Sequence, residues 1–221
     1  MRKVVAGKFL PSLFYLFMKL KFNPSNRDIS LLFVLGIFWG LLEAFAGQWI
    51  KSWQPNLFGF IMPFITAAFI IWAKRLVPLT GSILLMGIIA AVLKLFSSGM
   101  ILHGVFMAIL IESVLAELVF IFGGIGFWAG VGVGVLLQIY SMIHPMLTKG
   151  TLCQSSHFVR FRHWVSIHFF SGQDLQKSQT LLLMVILHLL AGFLAAVIIW
   201  PVKPKKERFN VVFKKYLRPE K

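Results

Sequence analysis

The chain has 221 residues, 58% hydrophobic and only 13% charged, with a mean hydropathy of +0.84. Apolar residues in such long uninterrupted runs exclude a soluble domain and predict an all-α integral membrane protein of one domain, with room for about five to seven spans of roughly 20 residues. The net charge of +15 does not point to nucleic acid, because no basic segment has the length or context of a binding fold. The single cysteine, Cys153, excludes an internal disulfide and a thiolate metal cage.

Residues 1–29 carry Arg2, Lys3, Lys8, Lys19, Lys21 and Arg27 among apolar residues, with Pro11 as an interruption. This pattern reads as a cytoplasmic, interfacial amphipathic helix rather than a signal peptide, since no small-residue cleavage site follows. Six spans are expected next, at 30–50, 56–73, 80–98, 103–122, 125–147 and 179–200, forming a six-transmembrane-helix bundle over residues 30–200. Pro55, Pro78 and Pro201 mark span ends, and Pro63 should kink the second span. The fourth and fifth spans are joined only by "GGIG" (123–126), a tight hairpin. Residues 201–221 form a basic tail.

The positive-inside rule places both termini, with Lys74 and Arg75, on the cytoplasmic side of a cell inner membrane. The loop 148–178 should then be external. It fits less well, because it carries Lys149, Arg160, Arg162 and Lys177, and its length is what permits it. Its "HFVRFRHWVSIHFF" (157–170) mixes aromatic and basic residues and is expected to lie on the membrane surface as a lid.

Depth counting at 1.5 Å per residue brings five polar side chains to one level. Glu43 lies roughly 18–20 Å and Lys94 roughly 21 Å from the cytoplasmic ends of their spans, and Glu112 roughly 14 Å from the external end of the fourth. Gln138 and His188 also fall near the middle of theirs. An ionised group at this depth costs about 3 kcal/mol, which pairing or a polar cavity relieves. The least costly arrangement puts Lys94 between Glu43 and Glu112, with Gln138 and His188 completing the hydrogen bonds, as a ligand-binding layer. The same groups would serve equally as a structural ion pair that pins helix packing, and Lys94 could instead snorkel to the outer interface. Glu117 lies about 140° around the helix from Glu112 and closer to the cytoplasm, so it should face a neighbouring helix or a partner. His103 and His144 end spans near the outer surface, and His157, His163 and His168 are too irregularly spaced for a metal set.

Small residues recur every four positions at Gly36, Gly40 and Ala44 in the first span and at Gly126, Gly130 and Gly134 in the fifth. Such ridges let another backbone approach closely, within the chain or on a separate subunit.

Six spans, cytoplasmic ends and the first-helix ridge resemble the substrate-binding (S) components of energy-coupling factor transporters, over roughly residues 30–200. The stretch "LLMGIIAAVLKLFSSGMILHGVFMAILIESVLAELVF" (84–120) looks like their central helices. The resemblance implies a vitamin-like small molecule captured from outside. It also implies docking of Gly36, Gly40 and Ala44 onto a transmembrane coupling subunit driven by two cytoplasmic ATPases. Two glycines in the ridge, where the family commonly has alanine, and the short first external connection (51–56) depart from its pattern.

Two other classes compete with this reading. One is a membrane scaffold or accessory protein with a buried polar network. The other is an intramembrane enzyme, against which stands the lack of any phosphate loop, HExxH, GxSxG or paired-aspartate motif. A proton- or ion-coupled carrier is a further option, although no inverted repeat is evident. No catalytic residue, cofactor or metal is assigned.

Overall fold

The computed structural model describes residues 24–97, 104–149, 156–173 and 175–204. The expected interfacial helix before residue 24, most of the basic tail and His103 lie outside these residues. Every regular element among the described residues is helical: α1 (Asn26–Trp53, with a π-turn at Leu42–Ala46), α2 (Phe58–Leu76), α3 (Ser82–Ser97), α4 (Gly104–Gly123), α5 (Phe127–Lys149), α6 (Ser156–Phe169) and α7 (Lys177–Ile199).

Five helical stretches are long and apolar enough to cross a membrane: α1, α2, Phe106–Gly123 of α4, Phe127–His144 of α5, and α7. The chain therefore fits a multi-pass membrane protein. α3 is apolar but shorter.

Local chemistry sets the ends. Ser25 and Asp28 form a capping box at the start of α1: the Asp28 N–H donates to Ser25 Oγ at 3.2 Å and the Ser25 N–H donates to Asp28 Oδ2 at 3.2 Å. Between α4 and α5, Gly124 takes a φ of +68°, which side-chain-bearing residues avoid, so the hairpin turns sharply. At the C-terminus of α7, Arg75 Nη1 donates to the carbonyls of Ile199, Trp200 and Val202 at 3.2, 2.8 and 3.2 Å. Its guanidinium also lies 4.3 Å from the Trp200 ring centroid. A cation at the negative end of a helix satisfies carbonyls that have no intrahelical donor.

The helices pack in the circuit α1–α3–α4–α5–α7–α2, with α2 also leaning on α5. One apolar core, including Leu32, Trp39, Ile70, Met86, Ile109 and Leu137, joins α1 to α5. A second joins α6 to the bundle through Phe158, Phe161 and Val165 against Phe60, Met142 and Met184. The loop expected on the membrane surface thus contains a helix whose inner face is buried in the protein.

Gly36 and Gly40 of the first small-residue ridge, and Gly130 and Gly134 of the second, are covered from within the chain. A Cβ added to Gly36 would lie 2.8 Å from Ile89 Cβ, and one added to Gly40 would lie 2.9 Å from Leu93 Cβ, so α3 sits directly on the α1 ridge. Ala44 falls in the π-turn. In α5, a Cβ on Gly134 would run into the Gly192 carbonyl, and one on Gly192 into the Gly134 carbonyl, which makes this the closest backbone approach of α5 and α7. Nothing lies within 4 Å of a Cβ at Gly126.

Gly134→Leu should therefore separate α5 from α7 and destabilise the fold by about 1–3 kcal/mol or more, whereas Gly126→Ala should be nearly neutral. Thermal unfolding of the two variants in detergent would show a clearly lowered midpoint only for the first.

Candidate functional site

Six helices bring polar groups into the bundle. Glu43 stands in the π-turn of α1, where the backbone is wound more widely than in an α-helix. Such turns occur often at functional sites. The Glu43 side chain accepts a hydrogen bond from Thr66 Oγ1 of α2 at 2.9 Å. Lys94, in the last turn of α3, reaches the same residue but donates to its main-chain carbonyl at 3.0 Å, while its charge also acts on the Glu43 carboxyl. The lysine head is therefore held by the opened helix backbone as well as by charge.

Glu112 of α4 is buried, with 9% of its surface exposed. Its carboxyl lies within electrostatic reach of Glu43 and of Tyr140 on α5. The Tyr140 hydroxyl shares a 3.0 Å hydrogen bond with His144 Nδ1. Among the described residues no hydrogen bond reaches the Glu112 carboxyl. The indole N–H of Trp39, fully buried near Glu43, is also outside hydrogen-bonding geometry with any described acceptor.

Gln138 and His188 do different work. Pro63, inside α2, has no N–H for the carbonyl of Gly59 one turn earlier. Ser141 Oγ of α5 donates to that carbonyl at 3.0 Å, and the His188 ring of α7 lies close to the Gly59 backbone. Gln138 Nε2 donates to the next carbonyl, of Phe60, at 3.1 Å. The His188 ring lies 4.0 Å from the Phe60 ring centroid, and its Nδ1 is 2.8 Å from the Met184 carbonyl. These side chains satisfy backbone groups released by a proline kink, which water cannot do in an apolar interior. Gln138 Oε1 is buried without a partner among the described residues.

The expected five-member layer thus divides in two: Glu43, Lys94 and Glu112, joined by Thr66 and Tyr140, and a kink-satisfying group of Gln138, Ser141 and His188. Depth counting proposed a shared level. It could not find Thr66 or Ser141, whose hydroxyls gave no signal in sequence beyond their presence in a span.

Glu117, expected to face a helix or a partner, is committed within the chain. Its Oε1 accepts from Lys74 Nζ at 2.7 Å and from the Gly81 N–H at 2.7 Å, and its Oε2 accepts from the Ile83 N–H at 3.0 Å. Lys74 donates further to the Leu79 carbonyl at 2.7 Å and to Ser82 Oγ at 3.3 Å. A carboxylate at the N-terminus of α3 occupies unpaired N–H groups and suits the helix dipole, while Lys74 neutralises its charge. The Lys74–Glu117 pair is buried, at 4% and 6% side-chain exposure. Gly36 and Gly40, read as partner-docking, are likewise covered by α3.

No family model, no curated protein and no solved structure matches the chain. Among the described residues, no group of three or more His, Cys, Asp or Glu is arranged to hold a metal ion.

Two predictions follow from these geometries. Lys74→Met or Glu117→Ala alone leaves a buried charge unpaired and should cost about 3–5 kcal/mol. The double variant should recover only part of this, because Gly81 and Ile83 still lose their acceptor. A double-mutant cycle of unfolding midpoints measures both terms. Ser141→Ala should destabilise by about 1 kcal/mol, and by less in a Pro63→Ala background, where residue 63 regains an N–H for the Gly59 carbonyl. The same unfolding assay reads the difference.

Proposed function

We propose that this protein is a membrane-embedded binding subunit for a small solute, of the kind represented by the S components of energy-coupling factor transporters. The observation that supports the reading best is the Glu112 carboxyl, buried beside a second carboxyl with no hydrogen-bond donor among the described residues. Ionisable groups inside spans are costly, and those without a structural partner mark solute or ion paths more often than packing devices. Glu117 provides the internal contrast, since it has three donors and needs no ligand.

In this reading α3 is the sixth span, and both termini are cytoplasmic. A solute arriving from outside brings a donor or cationic group to Glu112. Thr66 and Lys94 hold Glu43 in place, and Trp39 and Tyr140 offer an N–H and a hydroxyl to the rest of the molecule. Glu43, Lys94 and Glu112 are the ligand-contacting residues, while Gln138 and His188 support the wall by holding α2 against α5 and α7. A vitamin-like substrate and a coupling subunit with its ATPases remain part of the proposal through the resemblance. Because α3 covers Gly36 and Gly40, docking there requires α3 to move, or a different face of α1 to serve.

The internal filling of both ridges favours a second reading, a membrane accessory protein whose polar layer only holds helices together. Native mass spectrometry of protein taken gently from its host membrane separates the two. Solute capture predicts a stoichiometric small molecule retained by wild type and lost in Glu112→Gln, with the unfolding midpoint of the empty protein little changed. A structural layer predicts no such molecule and a lowered midpoint for Glu112→Gln.

A further inference from the structure

A groove of about 720 Å³ runs between α6 and α7, closed at one end by Leu57 and Phe60. Every side chain lining it is apolar. Phe161, Trp164 and Phe169 form one wall, and Leu187, Ala191 and Leu194 form the other. Along α7 the lining extends from Leu183 to Leu194, roughly 16 Å at the helical rise. This is about half of a hydrocarbon core ~30 Å thick, the depth of one leaflet.

Basic residues neighbour the groove-lining residues in sequence on α6 and at the start of α7. Arg160, Trp164 and His168 follow one another at four-residue spacing and share a stripe on α6. Trp164 lines the groove and lies against His168, with ring centroids 5.0 Å apart. Arg160 and His163 are exposed, as is Lys177 at the start of α7. Arg162 is held inward through Nε to the Leu175 carbonyl at 2.8 Å, so α6 is fixed beside α7. From residue 156 to residue 180 the chain carries Arg160, Arg162 and Lys177 and one acidic residue, Asp174. An aromatic belt residue beside cations marks the level of lipid headgroups.

We infer that this groove is a binding site for one acyl chain of an anionic phospholipid, with the headgroup on Arg160 and its basic neighbours. A groove one leaflet deep and wholly apolar accepts a hydrocarbon tail and offers nothing to a polar solute. Arg160, one helical turn before the groove-lining Trp164, and Lys177 at the start of α7 favour an anionic headgroup. The site is separate from the Glu43–Glu112 layer.

The test uses the full chain in nanodiscs of equimolar phosphatidylglycerol and phosphatidylcholine, extracted gently for native mass spectrometry. One phosphatidylglycerol per chain should be retained over phosphatidylcholine, by roughly five-fold for each basic residue engaged. Ala191→Phe, which fills the groove from a partly exposed position, should abolish the retained lipid, and Leu194→Trp provides a second filling variant should the first fail to fold. Arg160→Gln, at an exposed site, should keep a single lipid but reduce its headgroup preference. Equal retention of the two lipids by wild type, or undiminished lipid in a folded groove-filling variant, overturns the proposal.

Discussion

The carboxylate of Glu117 ties together the end of α2, the start of α3 and the body of α4. It neutralises Lys74 and occupies two N–H groups at the entrance to α3, so the start of α3 is held to both neighbours. With that end held, α3 lies along the glycines of α1, and its last turn brings Lys94 to the Glu43 carbonyl. Neutralisation at one end of α3 thus determines what is available at the other. In an apolar surrounding no water can substitute for these partners, which is why one carboxylate organises so much of the chain.

The same rule explains the proline in α2. Pro63 releases the Gly59 carbonyl that an aqueous helix would hydrate, and here the Ser141 hydroxyl of α5 takes over, while the Gln138 amide of α5 bonds the next carbonyl. The close approach of Gly134 and Gly192 lets α5 and α7 pack tightly together while those side chains reach α2. Kink and glycine contact therefore belong to one arrangement. Glu112 does not share in it: polar groups around it belong to four other helices, yet no donor among the described residues meets its carboxyl. That contrast is the basis for reading the Glu43–Glu112 layer as a place for a solute rather than a fastening.

On the outside of the bundle, α6 buries Phe158, Phe161 and Val165 and turns Arg160 and His163 outward. Its neighbour α7 exposes Leu190, Phe193 and Leu194. The two surfaces meet at the apolar groove, apart from the polar groups inside the bundle.

Composition and the length of the apolar runs by themselves determined the helical class and the presence of several helices long and apolar enough to cross a membrane, because bilayer thickness and hydrophobic transfer leave few alternatives; α6 lies unrecognised within a stretch that reads as a loop. Residue spacing also revealed the ridges and led to the expectation that Glu43, Lys94, Glu112, Gln138 and His188 share one level. Depth, however, is one coordinate. Which groups at a given depth face one another depends on the rotation of each helix about its axis and on which helices are neighbours. Those are decided by side-chain packing between segments far apart in the chain. Only the tertiary structure could assign the α1 ridge to α3, Glu117 to Lys74 and the α3 N-terminus, and Gln138 and His188 to the backbone that Pro63 opened.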